Sequence, residues 1–147
     1  MKKCLFKVCV NLSFCSLLLL LSGCGKKTLS CNKVTDYTDM KTDHTVTLYF
    51  KGDSLVRYKF KANVILSGEK ASLGEEMMGY DVNFKNLKPE KAVSFSTEKS
   101  DDGFIFKADV NVSKLDQNSK ENVPLINYNN SFDEIKSDLE DNGYICN

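Results

Sequence analysis

The chain has 147 residues, with 20 basic and 20 acidic side chains, one histidine and no tryptophan. That balance excludes the net basic footprint of a nucleic-acid-binding domain, so no nucleic acid is expected as a partner. The length suits one domain with a core of its own.

Lys2, Lys3 and Lys7 form a basic start, and Val8 to Leu21 is mostly apolar. The run is shorter than the ~18–20 residues of a spanning helix, and a basic stretch followed by an apolar one is the layout of an export signal. It ends on Leu21-Ser22-Gly23-Cys24, which resembles the lipobox of bacterial lipoproteins. The resemblance implies cleavage just before Cys24 and a diacylglyceryl group on its thiol. Ser22 and Gly23 are small enough for the backbone to enter a protease cleft, and the Cys24 thiol is the nucleophile that takes the lipid. Residues 1–23 then read as a lipoprotein signal peptide, 24–30 as a lipidated tether and 31–147 as a single domain. The expected address is the extracytoplasmic face of a cell membrane. Contact with the membrane is through the lipid, and maturation involves the signal peptidase and the lipid-transfer machinery.

Cleavage decides which cysteines remain. Cys4, Cys9 and Cys15 leave with the leader and Cys24 becomes a thioether, so Cys31 and Cys146 survive as free side chains. An even pair in an exported protein favours a disulfide. Closing a loop of this length stabilises a fold by up to about 4–5 kcal/mol in a chain-entropy treatment. The alternative, a redox-active or metal-binding pair, has no CxxC spacing behind it and only His44 as an imidazole ligand. Neither a metal nor a cofactor is expected. Loss of Lys2, Lys3 and Lys7 leaves 17 basic against 20 acidic side chains, an ordinary balance for a soluble domain. Lys26 and Lys27 lie beside the lipid, where they either favour anionic headgroups or are plain solvated tether residues.

Gly25 to Thr28 reads as the tether, and Ser30 to Asp43 is polar with little pattern. From His44, Val46, Leu48 and Phe50 alternate with polar neighbours. Gly52-Asp53 then reads as a hairpin turn. Beyond it Val56, Tyr58, Phe60, Ala62, Val64 and Leu66 share one face, and Arg57, Lys59, Lys61 and Asn63 the other. This is the pattern of a sheet wet on one side. Leu73, Met77, Tyr80, Phe84 and Leu87 recur at helical spacing and predict a central helix stopped by Pro89, although Gly74 and Gly79 each weaken it by roughly 1 kcal/mol.

A second hairpin follows. Val93, Phe95 and Thr97 form one run, Ser100-Asp101-Asp102-Gly103 a turn with glycine available for positive φ, and Phe104, Phe106, Ala108, Val110 and Val112 the returning face. Asp101, Asp102 and Asp109 lack the longer, regular ligand series of a calcium loop. Residues 114–130 are polar and rich in asparagine and read as a long loop or irregular segment. Ser131 and Glu134 form a capping-box pattern. It opens a terminal helix with Phe132, Ile135 and Leu139 on its apolar face and Asn142-Gly143 as its stop. Tyr144-Ile145-Cys146 then runs extended.

The expected fold is α+β: an antiparallel sheet of two β-hairpins, about four strands, with a central and a C-terminal helix packed on one face. The lipobox, the hairpin "FKGDSLVRYKF", the two helices and the closing "LEDNGY" together resemble the YehR-like family of small bacterial lipoproteins. That resemblance implies an α+β lipoprotein of uncharacterised function. It lends no catalytic residue.

No catalytic residue is expected from the sequence itself either. Asp43 and His44 suggest a base with its orienting carboxylate, but strand neighbours point to opposite faces, and His44 reads as a surface histidine. Glu75 and Glu76 read as a solvated helix face. The expected function is a lipid-anchored, non-catalytic binding or accessory component of the bacterial cell envelope. The alternative is a hydrolytic or redox-active envelope enzyme. The strip Arg57, Lys59 and Lys61, with Tyr49 across the hairpin, either meets an anionic envelope polymer or is a solvated face with edge-protecting lysines. An envelope protein is the other candidate partner.

Overall fold

The computed structural model describes residues 25–69 and 79–147. The lipobox, Cys24, the leader cysteines, Leu73 to Met77 of the expected helix, and Glu75 and Glu76 lie outside the described residues.

Six strands form one sheet: β1 (Lys26–Tyr37), β2 (Met40–Lys51), β3 (Ser54–Leu66), β4 (Val93–Ser100), β5 (Gly103–Val110) and β6 (Ile145–Cys146). Their order across the sheet is β4-β5-β3-β2-β1-β6, and every neighbouring pair is antiparallel. Among the described residues the α-helices are α1 (Val82–Lys85), α2 (Gln117–Glu121) and α3 (Phe132–Asp141). This overturns the expected fold of two hairpins and about four strands covered by a central and a C-terminal helix. The molecule is mainly one antiparallel sheet with a few small helices.

The physical reasons lie in particular segments. The first strand escapes notice because its inward positions after Leu29 and Cys31 are Lys33 and Thr35, so no apolar alternation marks it. Lys26 to Thr28, read as tether, belong to this strand and pair with Lys51 to Tyr49. In place of the expected central helix, the described part has a four-residue helix after Gly79, whose φ of 61° breaks helical geometry. The stripe nevertheless reaches the core: Phe84 and Leu87 are buried, and Tyr80 packs against the core at Phe60 and Phe106. Residues 114–130 are also more ordered than expected. Asp116 caps α2 by accepting from the Ser119 amide at 2.8 Å, and Leu115 and Val123 are buried.

The two predicted hairpins, β2–β3 and β4–β5, turn where the sequence predicts. The inward faces Val46, Leu48, Phe50 and Tyr58, Phe60, Ala62, Val64, Leu66 are all buried. The exception is Val56. Tyr49 pairs with Arg57 and Phe50 with Leu55, so Val56 is the extra residue of a bulge and Leu55 turns inward in its place. Gly103 serves the β4–β5 turn for a different reason than expected. A Cβ there would lie 2.0 Å from the Val64 carbonyl oxygen, so close backbone approach, not positive φ, demands glycine.

The core is the inner face of the sheet, closed by α1, α3 and the segment around α2. Phe132 meets Phe50 edge-on at 5.1 Å, which seats α3 over β2, and Ile135 and Leu139 are buried beneath it. The predicted capping box is present: the Ser131 amide donates to Glu134 at 2.7 Å and the Glu134 amide to the Ser131 hydroxyl at 3.4 Å. Gly143, at φ 82°, ends the helix and turns the chain back into β6.

Candidate functional site

The two faces of the sheet carry different chemistry. On the open face, Lys59 and Lys61 of β3 stand beside Thr47 and Thr45 of β2 on one side, and beside Asp109 and Lys107 of β5 on the other. Ser94 and Ser96 of β4 extend the row. These residues line a shallow groove of about 500 Å³.

The predicted cationic strip is therefore real as a shared face, but its members differ. Arg57 donates from Nε to Asp109 at 2.7 Å, and from a second nitrogen to the other carboxylate oxygen. This guanidinium holds the Asp109 carboxyl below its usual range. Lys59 lies 3.7 Å from the same carboxylate and 5.9 Å from the Tyr49 ring centroid. Lys107 bonds both oxygens of Glu98, at 2.7 and 2.8 Å. Lys61 has no carboxylate partner among the described residues, and it stands directly opposite Lys107. Like charges in that relation weaken a sheet. Asp109 is thus a partner of Arg57 and Lys59 and does not join Asp101 and Asp102 in the turn.

The inner face holds a second cleft, at the end of the sheet formed by the β1–β2 hairpin. It encloses about 380 Å³ and is lined by Lys33, Tyr37, Met40, Thr42, His44, Tyr80, Leu125, Leu139, Asn142 and Tyr144. His44 alternates inward with Val46 and Leu48, which corrects its reading as a surface residue: it is half-buried, and Asp43 points to the other face. Its Nε2 lies 2.7 Å from the Tyr80 hydroxyl and its Nδ1 3.5 Å from the Tyr144 hydroxyl. The edge of its ring meets Phe60 at 5.3 Å.

Burial, with the Lys33 ammonium nearby, lowers the His44 pKa; Asp43 opposes that only in part. The imidazole is therefore neutral at neutral pH, with one nitrogen donating and the other accepting. Burial raises both phenols, that of Tyr80 to about 12. At the histidine nitrogens stand two phenols, not a carboxylate or a nucleophile.

Lys33 donates to the Asn142 carbonyl at 2.8 Å and lies 5.6 Å from the Tyr144 ring centroid. It caps the carbonyl end of α3, where a cation is favoured by the helix dipole. Reasoning from sequence missed Lys33, Tyr144 and Leu125, and it places Tyr80 in a stripe read as core. Two signals were available: Lys33 lies two residues beyond Cys31, and Tyr144 two before Cys146, so each shares the face of its cysteine in extended chain.

Cys31 and Cys146 face each other in the β1–β6 ladder with their sulfurs 2.02 Å apart, which fits the expected disulfide. Among the described residues no three His, Cys, Asp or Glu side chains converge to hold a metal ion, and no helix is long and apolar enough to cross a membrane.

No protein-family model matches the chain, and no curated protein sequence matches it. Among solved structures it is similar to the NMR structure of the E. coli YehR protein, at 14% identity and a TM-score of 0.50, over 83% of this chain and 92% of that one. At that identity the likeness shows the fold alone: the chain has a YehR-like fold.

Proposed function

We propose that this chain is a lipid-anchored, extracytoplasmic lipoprotein of the bacterial cell envelope, and that it binds an anionic envelope polymer in the groove on the open face of its sheet. The observation that carries the binding reading is the Lys61–Lys107 opposition, with Lys59 next along β3. Three ammonium groups stand between the threonine hydroxyls of β2 and the serine hydroxyls of β4, and one of them, that of Lys61, has no carboxylate partner among the described residues. A chain of phosphate or carboxylate groups would relieve that repulsion and accept from the hydroxyls.

The anchor reading is supported by the lipobox at Leu21 to Cys24 and by where the sheet begins. β1 starts at Lys26, two residues after Cys24, so an acyl group on Cys24 would hold the Lys26–Lys51 end at the bilayer. Ser30 and Asn32 lie level with Thr47 and Thr45 of the groove. At ~3.3 Å per residue, the groove then stands roughly 13–20 Å from the anchored end. That is beyond the ~8–10 Å over which headgroup charge acts at physiological salt. The groove would then meet soluble polymer, not lipid.

The test uses the acylated protein in detergent with fluorescent polyphosphate and polyglutamate as probes. Binding is expected to fall steeply as salt rises and to be lost in Lys61→Glu. Salt-independent binding, or full binding by Lys61→Glu, overturns the groove reading. A mass map in which no acylated peptide begins at Cys24 overturns the anchor reading by itself.

A further inference from the structure

The His44 cleft lies on the opposite face from the groove and is not used by the proposed polymer site. Its walls divide in two. Met40, Leu139, Leu125 and Tyr37 are apolar or aromatic, whereas Thr42, His44, Tyr80, Tyr144 and Lys33 supply hydroxyls, an imidazole and one ammonium. Among the described residues that line it there is no Asp or Glu. Lys33 spends one hydrogen bond on the Asn142 carbonyl, and an ammonium has two further donors.

The rim adds an independent observation. Leu125 has φ 68° and is 51% exposed, and Tyr37 is 56% exposed. A leucine in the left-handed region is uncommon and strained. Here that backbone carries an exposed aliphatic side chain at the cleft mouth. An apolar rim around a few convergent polar groups, in this volume, is the make-up of a small-molecule site.

We propose that the cleft binds a small hydrophobic carboxylate, its apolar body against Leu125, Tyr37 and Met40, and its carboxylate on Lys33 and on whichever of the Tyr80 and Tyr144 hydroxyls accepts the His44 N–H and so keeps its own hydrogen free. The Tyr80–His44–Tyr144 hydrogen-bond chain suits this role because either tautomer of the neutral ring can direct a phenol hydrogen towards the anion. A single ammonium, with a neutral ring beside it, matches one negative charge. The inference is independent of the anchor and of the polymer groove.

His44 is the only histidine in the chain, so its imidazole C–H signal in a proton NMR spectrum reports on the cleft without assignment work. The probes are 4-methylpentanoate, N-acetyl-leucine and the neutral 4-methylpentanamide, added at millimolar concentrations to the full chain. Both carboxylates are expected to shift the His44 signal saturably and to move its titration to higher pH. The groups that face the ring are the Lys33 ammonium from β1, the Tyr80 hydroxyl ahead of α1 and the Tyr144 hydroxyl beyond α3, with Asp43 behind on β2. The introduced anion is thus the only new charge. The amide is expected to leave the signal unchanged.

Preference for 4-methylpentanoate assigns the cleft to free acids, and preference for N-acetyl-leucine to peptide C-termini. Lys33→Gln is expected to weaken binding about tenfold or more. Leu125→Asn leaves the cap on α3 in place and is expected to weaken binding through lost apolar contact. No shift with either carboxylate, equal binding of the amide, or undiminished binding in Leu125→Asn overturns the proposal.

Discussion

Cys31 stands directly opposite Cys146, with their Cα atoms 4.0 Å apart, and two residues further along β1 Lys33 holds the Asn142 carbonyl. The two-residue strand β6 is thus fixed at both ends of the turn that follows α3, and Tyr144 lies between them. The disulfide spans 115 residues of sequence. Opening it should cost up to about 4–5 kcal/mol by releasing the unfolded chain. Thermal unfolding with and without reductant, and of Cys31→Ser with Cys146→Ser, measures this. A large fall in Tm is expected, together with a changed His44 NMR signal, because Tyr144 loses its restraint. An unchanged Tm would mean that β6 contributes nothing to the cooperative unit.

Tyr58 is an opposite case, a buried group whose polar end is left over. Its ring belongs to the core beside Phe84, yet its hydroxyl has no hydrogen-bond partner among the described residues. Burial pushes its ionisation far above the ordinary tyrosine range. A buried unpaired hydroxyl costs about 1–3 kcal/mol. Tyr58→Phe keeps the ring and is expected to raise stability by a part of that, about 1 kcal/mol, read from the denaturant midpoint. A lower midpoint would reveal a partner for the hydroxyl.

How much of this was legible beforehand depended on whether burial and alternation coincide. They do in β2, β3 and β5, and there the sequence shows the inward faces correctly, with Val56 at the bulge as the exception. They do not in β1, where the inward positions after Cys31 are Lys33 and Thr35 and the apolar Val34 points out to solvent. A strand that lines a cleft carries polar residues inward, so the feature that makes a site also hides the strand. The stripe Tyr80, Phe84, Leu87 identified core residues but not their backbone, because short turns can present the same side chains as a helix. The His44 cleft was illegible for a further reason. Its parts come from β1, β2, the chain before α1, the loop after α2, and α3 with the turn beyond it, and only the tertiary fold brings them together.

The single histidine also makes a clean pH prediction. The folded pKa of His44 lies below its ordinary 6.5, chiefly through burial and then through Lys33. Between those two values the unfolded chain binds a proton that the folded chain does not, so stability falls as pH drops through that window. Above pH 6.5 the contribution is constant. The carboxyls of Asp109, Asp81, Glu90 and Glu134 are held below their ordinary values. Their contribution is lost from about pH 5 downwards, so the range above pH 5 reports chiefly on His44. Denaturant midpoints from about pH 5 to pH 8 should show the slope in the native chain and its absence in His44→Gln. An equal slope in both would assign the effect elsewhere.

The open face carries the last test, because stability and binding should move in opposite directions there. Lys61 faces Lys107 on one side and Thr45 on the other. Lys61→Thr removes the like-charge opposition and adds a residue with high β-propensity opposite another threonine. A gain of roughly 0.2–1 kcal/mol is expected at low salt, shrinking as salt screens the repulsion. The same substitution should weaken polyphosphate binding. If Lys61→Thr stabilises the fold and spares binding, the opposition is only an unfavourable contact and the groove loses its claim to an anionic partner. If it lowers stability at every salt concentration, the lysine stem packs on the sheet, and its charge is not what the fold tolerates at a cost.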